Sequence, residues 1–350
     1  MRYLTICLTF CMLLCVIVSC KKNSEYAPGN LALTNTAEAV FTSKTSNTLA
    51  VTTIAGTFNT EGYRDGVGKN ALFMSTVGIE LANDGSLLVA DTRNNKIRKI
   101  TQEGDVSTLG VPHARDGSRL INPYFVKQAN DGTITIFAKQ VDLDLKYKFW
   151  VWKPGGLTIA VKANKNADYG GWSSDPFNDY YWTCGLEYTE AGFKGFIEQF
   201  LPGGRQGVNP YYLAESLLLP ADQKFPVVSK IFSAYNGVKY LVVNNTHIYK
   251  YTSSGELTRL ATPVAFGIID DIIANKDSRT IYFTSGGRIY GLFNGEVHYL
   301  VGPHMPEDGH DGIGNGADVH AFNLALSKDE NTLYFTDNRT VRKLILKAIR

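Results

Sequence analysis

Apolar and polar positions alternate along most of this chain in short runs, broken at regular intervals by Gly, Asn, Asp or Pro. Residues 73–110 show the pattern most fully. Positions 77–81 form one β-like stretch, and Asn83-Asp84-Gly85 turns the chain into 86–90. Residues 91–95 turn it again into 96–100, and 102–105 lead into 106–109. Strand, turn and strand at this pace predict a four-stranded antiparallel meander. The stretch 321–346 repeats it, with Asp337 where Asp91 stands and Arg342-Lys343-Leu344 matching Arg98-Lys99-Ile100. Upstream, Arg64-Asp65-Gly66-Val67-Gly68 matches His310-Asp311-Gly312-Ile313-Gly314, and Arg115-Asp116-Gly117 recurs one unit later.

Between these ends the repeat survives as a strand–turn rhythm of six units. Second-strand cores fall at 87–90, 133–138, 179–184, 239–244, 280–284 and 332–336. Third strands follow, as at 147–152, 195–200, 246–251 and 288–293. The sixth unit stops after its third strand, near Leu346, while residues 50–56 read as a fourth strand with no unit before it. The expected fold is therefore an all-β, six-bladed β-propeller whose last blade is closed by the N-terminal strand. Closure of this kind removes the exposed edge of an open array.

The repeats resemble the NHL family. Asp65, Gly66, Gly68, Ala71 and Phe73 fit the start of its pattern; Gly78, Ile79, Gly85, Leu87, Val89, Ala90, Asp91, Asn94, Ile97 and Arg98 fit its middle. Thr76 stands where that family usually has Pro, and the last repeat shortens its second turn. The match is specific over 51–110 and 296–344 and weak from 120 to 290.

The first residues stand apart from this body. Leu4 to Val18 is an apolar run of about fifteen residues, short of the roughly twenty needed to span a bilayer, and suits a secretory signal. It ends Val18-Ser19-Cys20-Lys21, which resembles a bacterial lipobox. That resemblance implies a signal peptide over 1–19, lipid on Cys20, and a place in the cell envelope, with the outer membrane expected. Residues 20–47 are polar and read as a flexible tether; the propeller is expected over 48–350. Four of the five Cys lie in or at the end of the signal, so Cys184 is alone in the body and is expected to be a buried structural thiol.

Composition narrows the chemistry. Lys and Arg total 35 against 33 Asp and Glu, too even a balance for broad nucleic-acid binding. No zinc pattern links the six His. An oxygen-rich cation loop around His304, Asp308 and His310 is conceivable, but Asp-Gly is first a turn device, and that reading is preferred. No metal or cofactor is expected. Asp91 and Asp337 begin hairpins and are assigned structural roles. Trp150 and Trp152 share one strand face and are expected at an inter-blade interface.

The candidate binding surface is the rim formed by connections from one blade to the next. It carries Tyr63, Arg64, Arg115, Tyr169, Trp172, Tyr212 and His310. Aromatic faces beside Arg and His suit a glycan, a peptide or a protein partner; the competing account has these rings packing the loops onto the blades. The preferred function is a non-catalytic binding module held at the membrane by its lipid. The alternative is a lyase- or lactonase-type propeller enzyme with a metal in its channel, for which Glu80, Asp270 and Asp271 are the inward candidates.

Overall fold

The structure is a computed structural model and describes residues 49–139, 147–164, 166–190, 192–201, 205–206, 211–212, 227–260, 267–305 and 307–346. Within them lie six antiparallel sheets. Blade 1 runs outward from Thr76–Leu81 through Leu87–Asp91 and Lys96–Ile100 to Asp105–Leu109. Blade 2 comprises Pro123–Gln128, Ile134–Lys139, Tyr147–Trp152 and Thr158–Lys162. Blade 3 comprises Ala167–Ser174, Tyr181–Thr189 and Gly192–Leu201, edged by Arg205–Gln206 and Tyr211–Tyr212. Blade 4 is Val228–Ser233, Lys239–Val243, His247–Tyr251 and Leu257–Arg259; blade 5 is Ile269–Ala274, Thr280–Ser285, Arg288–Phe293 and Glu296–Val301. The innermost strands neighbour one another in cyclic order, blade 6 returning to blade 1. The fold is a six-bladed β-propeller around a central channel.

Blade 6 is assembled from both ends of the chain, as its sequence requires. Ala321–Leu326, Thr332–Asp337 and Thr340–Ile345 come from the C-terminal region. The fourth strand is Ala50–Gly56, paired antiparallel with Thr340–Ile345 from Val51↔Leu344 to Gly56↔Thr340. On its other edge it pairs with the short strand Gly312–Ile313. Blade 1 carries the equivalent extra strand, Gly66–Val67, on Asp105–Leu109. These fifth strands, built from the Asp-Gly segments, were not legible as strands.

Second strands are covered on both faces by neighbouring blades, and Leu87–Asp91 is buried throughout. The core lies between blades: Leu88, Ala90 and Ile97 of blade 1 pack against Ile136, Trp150 and Trp152 of blade 2. Cys184 is free and buried between blades 3 and 4, and burial pushes its thiol well above the ordinary range.

The repeated Asp and Arg residues form a polar core of their own. Arg98 is fully buried, with Nη1 on Asp91 (2.9 Å) and Nη2 on Asp65 (2.6 Å). The same guanidinium donates to the carbonyls of Leu72 and Arg64. Asp91 accepts the amides of Met74 and Ser75, which anchors the approach to the innermost strand, and the side-chain amide of Asn94 in its own hairpin turn (2.8 Å). Arg342 repeats the arrangement with Asp337 (2.7 Å), Asp311 (3.1 Å) and the carbonyls of Asp318 and His310. Asp65 and Asp311 are thus ion-pair partners. The turn role expected of Asp-Gly holds instead at Asp84, Asp116 and Asp131, each accepting the amide two residues on.

Candidate functional site: the mouths of the channel

Each innermost strand begins at one end of the channel, called upper here, and finishes at the lower end. Near the upper end all six strands slip register against their second strands, at Thr76/Ile79, Pro123/Phe125, Tyr169/Gly171, Val228/Lys230, Ile269/Asp271 and Ala321/Leu324. A bulge breaks the two-residue alternation and re-aims the side chains on it. The result is one repeated tetrad, seen as Thr76-Val77-Gly78-Ile79 in blade 1 and Ala321-Phe322-Asn323-Leu324 in blade 6.

The fourth member of every tetrad enters the blade core: Ile79, Val126, Trp172, Ile231, Ile272 and Leu324 are all buried. The third members, Gly78, Phe125, Gly171, Lys230, Asp271 and Asn323, together line a waist with a void of only about 20 Å³. Gly78 and Gly171 sit where neighbouring blades come closest. A Cβ on Gly78 would meet the Tyr124 carbonyl at 2.4 Å, and one on Gly171 would meet Lys230 Cα at 2.8 Å.

Above the waist opens a cavity of about 420 Å³, lined by Tyr124, Asp270, Phe322 and Asn323 from the bulges and by Met74 and Ser75. Tyr124 and Phe322 are 36% and 40% exposed, unusual for aromatic rings on innermost strands. Arg93 and Arg339 stand at its edge, both paired with Glu61, at 3.8 and 3.0 Å. Lys230 reaches up from the waist, donates to the Gly170 carbonyl (3.1 Å) and lies 5.9 Å from the Phe125 ring centre.

Two carboxyl groups sit together at this level. Burial raises Asp270 above the usual carboxylate range, with Lys230 opposing and the Asp271 charge adding. Burial likewise raises Asp271, although the Leu324 amide donates to it at 2.8 Å. Glu80 lies further down, paired with Lys127 at 2.7 Å. The inward candidates Glu80, Asp270 and Asp271 therefore do face the channel. Among the described residues no group of three or more His, Cys, Asp and Glu is arranged to hold a metal.

The expected rim residues are not brought together. Trp172 and Tyr169 lie on the innermost strand of blade 3, not on a connection. Trp172 is buried, stacked on Phe149 (4.9 Å) and Tyr181 (5.4 Å). Tyr169 packs edge-on to Phe149 and Phe196, its hydroxyl donating to Glu198, and burial raises it far above its ordinary value. Tyr63 is exposed but covers Arg98, whose guanidinium carbon is 5.2 Å from the ring centre. Arg64 and His310 are equivalents on the flanks of blades 1 and 6, each giving its carbonyl to a buried Arg; His310 Nδ1 also meets Asp308. Arg115 donates its amide to Thr158, the first residue of blade 2's outermost strand, at the lower end. The backbone of Tyr212 pairs with Phe196; its side chain, like Cys20, lies outside the described residues. The signal for the true mouth was the aligned tetrads, which place Tyr124, Asp270 and Phe322 at one position.

No protein-family model matches the chain, and no curated protein does. Solved structures do resemble it. An auxiliary nutrient binding protein from Bacteroides thetaiotaomicron has a TM-score of 0.62 at 17% identity, over 85% of this chain and 76% of that one. A catalytically inactive virginiamycin B lyase from Staphylococcus aureus, solved with quinupristin, gives 0.55 at 14% identity, over 85% and 99%. A gluconolactonase from Xanthomonas campestris gives 0.55 at 9%, over 86% and 96%. At these identities the likeness is one of fold: binding proteins and enzymes share this six-bladed propeller.

Proposed function

We propose that this chain is a lipoprotein of the bacterial cell envelope, anchored through Cys20, whose NHL-like propeller binds a glycan at the upper mouth of its channel. One observation carries the reading. Tyr124 and Phe322 stand on bulges with their rings exposed, beside Asp270, Asn323 and two arginines, around a cavity of about 420 Å³. That volume is within the range of roughly 300–1,000 Å³ typical of small-molecule sites. Aromatic faces stack on the C–H faces of sugar rings while carboxylate, amide and guanidinium groups bind hydroxyls. The nutrient-binding propellers of Bacteroides lend support through a shared fold. The site is the end of the channel rather than its outer rim, so the binding role is kept and its residues move inward.

The test is a glycan array probed with the full-length chain in detergent, followed by titration of the best glycan. Tyr124→Ala and Phe322→Ala are each expected to weaken binding by about 1–3 kcal/mol with little change in melting temperature. Failure to bind any glycan, or affinity indifferent to both substitutions, would overturn the proposal. A lyase- or lactonase-type enzyme is the second reading. The pair of raised carboxyls at Asp270 and Asp271 favours it, because a carboxyl held above its ordinary range by burial is the kind of group that serves in acid–base chemistry.

A further inference from the structure

Below the waist the channel opens again into a cavity of about 440 Å³ at the opposite end of the molecule. We infer that this lower mouth is a second binding site, built for a small zwitterion with an apolar side chain, of which a free apolar α-amino acid is the type. The inference is independent of the glycan reading, since it uses neither the upper mouth nor its residues.

One level of the six innermost strands, the residue after each buried tetrad member, lines this cavity. Blades 1, 2 and 3 place Glu80, Lys127 and Ser173 there, while blades 4, 5 and 6 place Phe232, Ile273 and Ala325. The cavity floor is therefore divided into a polar half and an apolar half. Glu80 and Lys127 pair at 2.7 Å with only 17% of each side chain exposed. An ion pair this enclosed has lost much of its hydration, and extra polar partners are what make such burial favourable. One of the three Lys127 donors goes to Glu80. Among the described residues the second Glu80 oxygen accepts one long bond, 3.4 Å, from Ser174 Oγ.

A ligand that brings an ammonium to Glu80 and a carboxylate to Lys127 completes both groups without leaving either charge unbalanced. Its side chain then falls on Phe232 and Ile273. Tyr235 stands at the rim, 47% exposed, and its hydroxyl is raised by burial and then by the charges of Glu80 and Glu330, which face the same space. Around the opening Asp175, Asp179 and Glu330 stand with Lys276 and Lys328, so charges of both signs are interspersed with a slight acidic excess. A neutral glycan gains little from such an entrance. A zwitterion, which offers an ammonium to the acidic groups and a carboxylate to Lys127, suits it.

The test is calorimetric titration of the full-length chain in detergent with L-leucine, isocaproate and isoamylamine. The three share an apolar chain but carry both charges, the carboxylate alone and the ammonium alone. Leucine is expected to bind, and each single-charge analogue to bind at least about tenfold more weakly, the value of one charge-assisted hydrogen bond. The double variant Glu80→Gln/Lys127→Met removes both charges together and leaves neither buried alone. It is expected to abolish the preference for leucine while keeping the parental melting profile. No binding of leucine, equal binding of an analogue, or an unchanged preference in the double variant would overturn the inference. The analogue series on the parent protein decides the matter even if the variant fails to fold. Tyr124→Ala should leave the leucine titration unchanged, which keeps this outcome separate from that of the upper mouth.

Discussion

Trp172 shows how far a single side chain can mislead when its strand is misplaced. In the sequence it follows two glycines and precedes two serines, and looks available for stacking. In the fold those glycines serve the approach of blade 4, and the ring fills the gap between blades 2 and 3. Trp172→Ala should therefore lower stability by about 3–5 kcal/mol, read as a fall in melting temperature, with glycan affinity unchanged in the protein that remains folded. Arg98 belongs to the same scale. Arg98→Met leaves the Asp91 carboxylate buried without its counter-ion, at an expected cost of about 3–5 kcal/mol, and the double variant with Asp91→Asn should recover part of it. Asp271 behaves in the opposite sense. Its carboxyl is raised by burial, so the folded state favours the protonated form. Its ionised form costs stability as the pH climbs from the ordinary value of 3.8 through the raised one, and costs nothing below both. Asp271→Asn should accordingly raise the melting temperature at pH 7, and the gain should close as the pH falls below 4 (about the ordinary carboxylate value). Equal melting of the two proteins at pH 7 would show that the Leu324 and Ile272 amides already offset the burial.

Among the elements, the innermost strands and the closing strand carry the most consequence. Deleting residues 49–56 removes Leu49, Val51 and Ala55 from the core and bares the edge of Thr340–Ile345. Larger apolar side chains contribute about 1.5–3 kcal/mol each, a sum that approaches the whole stability of a domain. The shortened chain should aggregate, and a monomer with the parental melting temperature would refute the pairing. Gly78→Ala tests the bulges. Its new Cβ would press on the Tyr124 carbonyl and Phe125 Cα, costing about 1–3 kcal/mol as overpacking does and displacing Tyr124 from the mouth. The closing strand could be read from the sequence because a four-strand period leaves one strand over at one end and one short at the other. The bulges could not be read from alternation, since a bulge is where alternation fails. Tyr124 and Phe322 look like ordinary buried strand aromatics until six such strands are laid in register.

For the molecule as a whole, the legible part was what repeats. Asp91, Arg98, Asp337 and Arg342 recur because each buried guanidinium needs the same partners, and that recurrence revealed the ring. The mouths are legible only after closure, because Glu80 and Lys127 pair from different blades and Tyr124 and Phe322 line one cavity from blades 2 and 6. If Cys20 carries the proposed lipid, Cys20→Ala should abolish fatty-acid labelling of the whole protein, and unchanged labelling would refute that proposal.

The seam in blade 6 also determines how the protein answers a pull. Ala50–Gly56 leads directly from the N-terminal segment and lies along Thr340–Ile345, with its first two residues also held by Gly312–Ile313. A pull on the N-terminal end of this strand along its own axis would load that ladder lengthwise. The cross-strand bonds then bear it side by side, in shear, rather than opening one after another as in a zipper. Traction on the N-terminus is thus taken up by the join that holds the ring together, beginning at the end gripped from both edges.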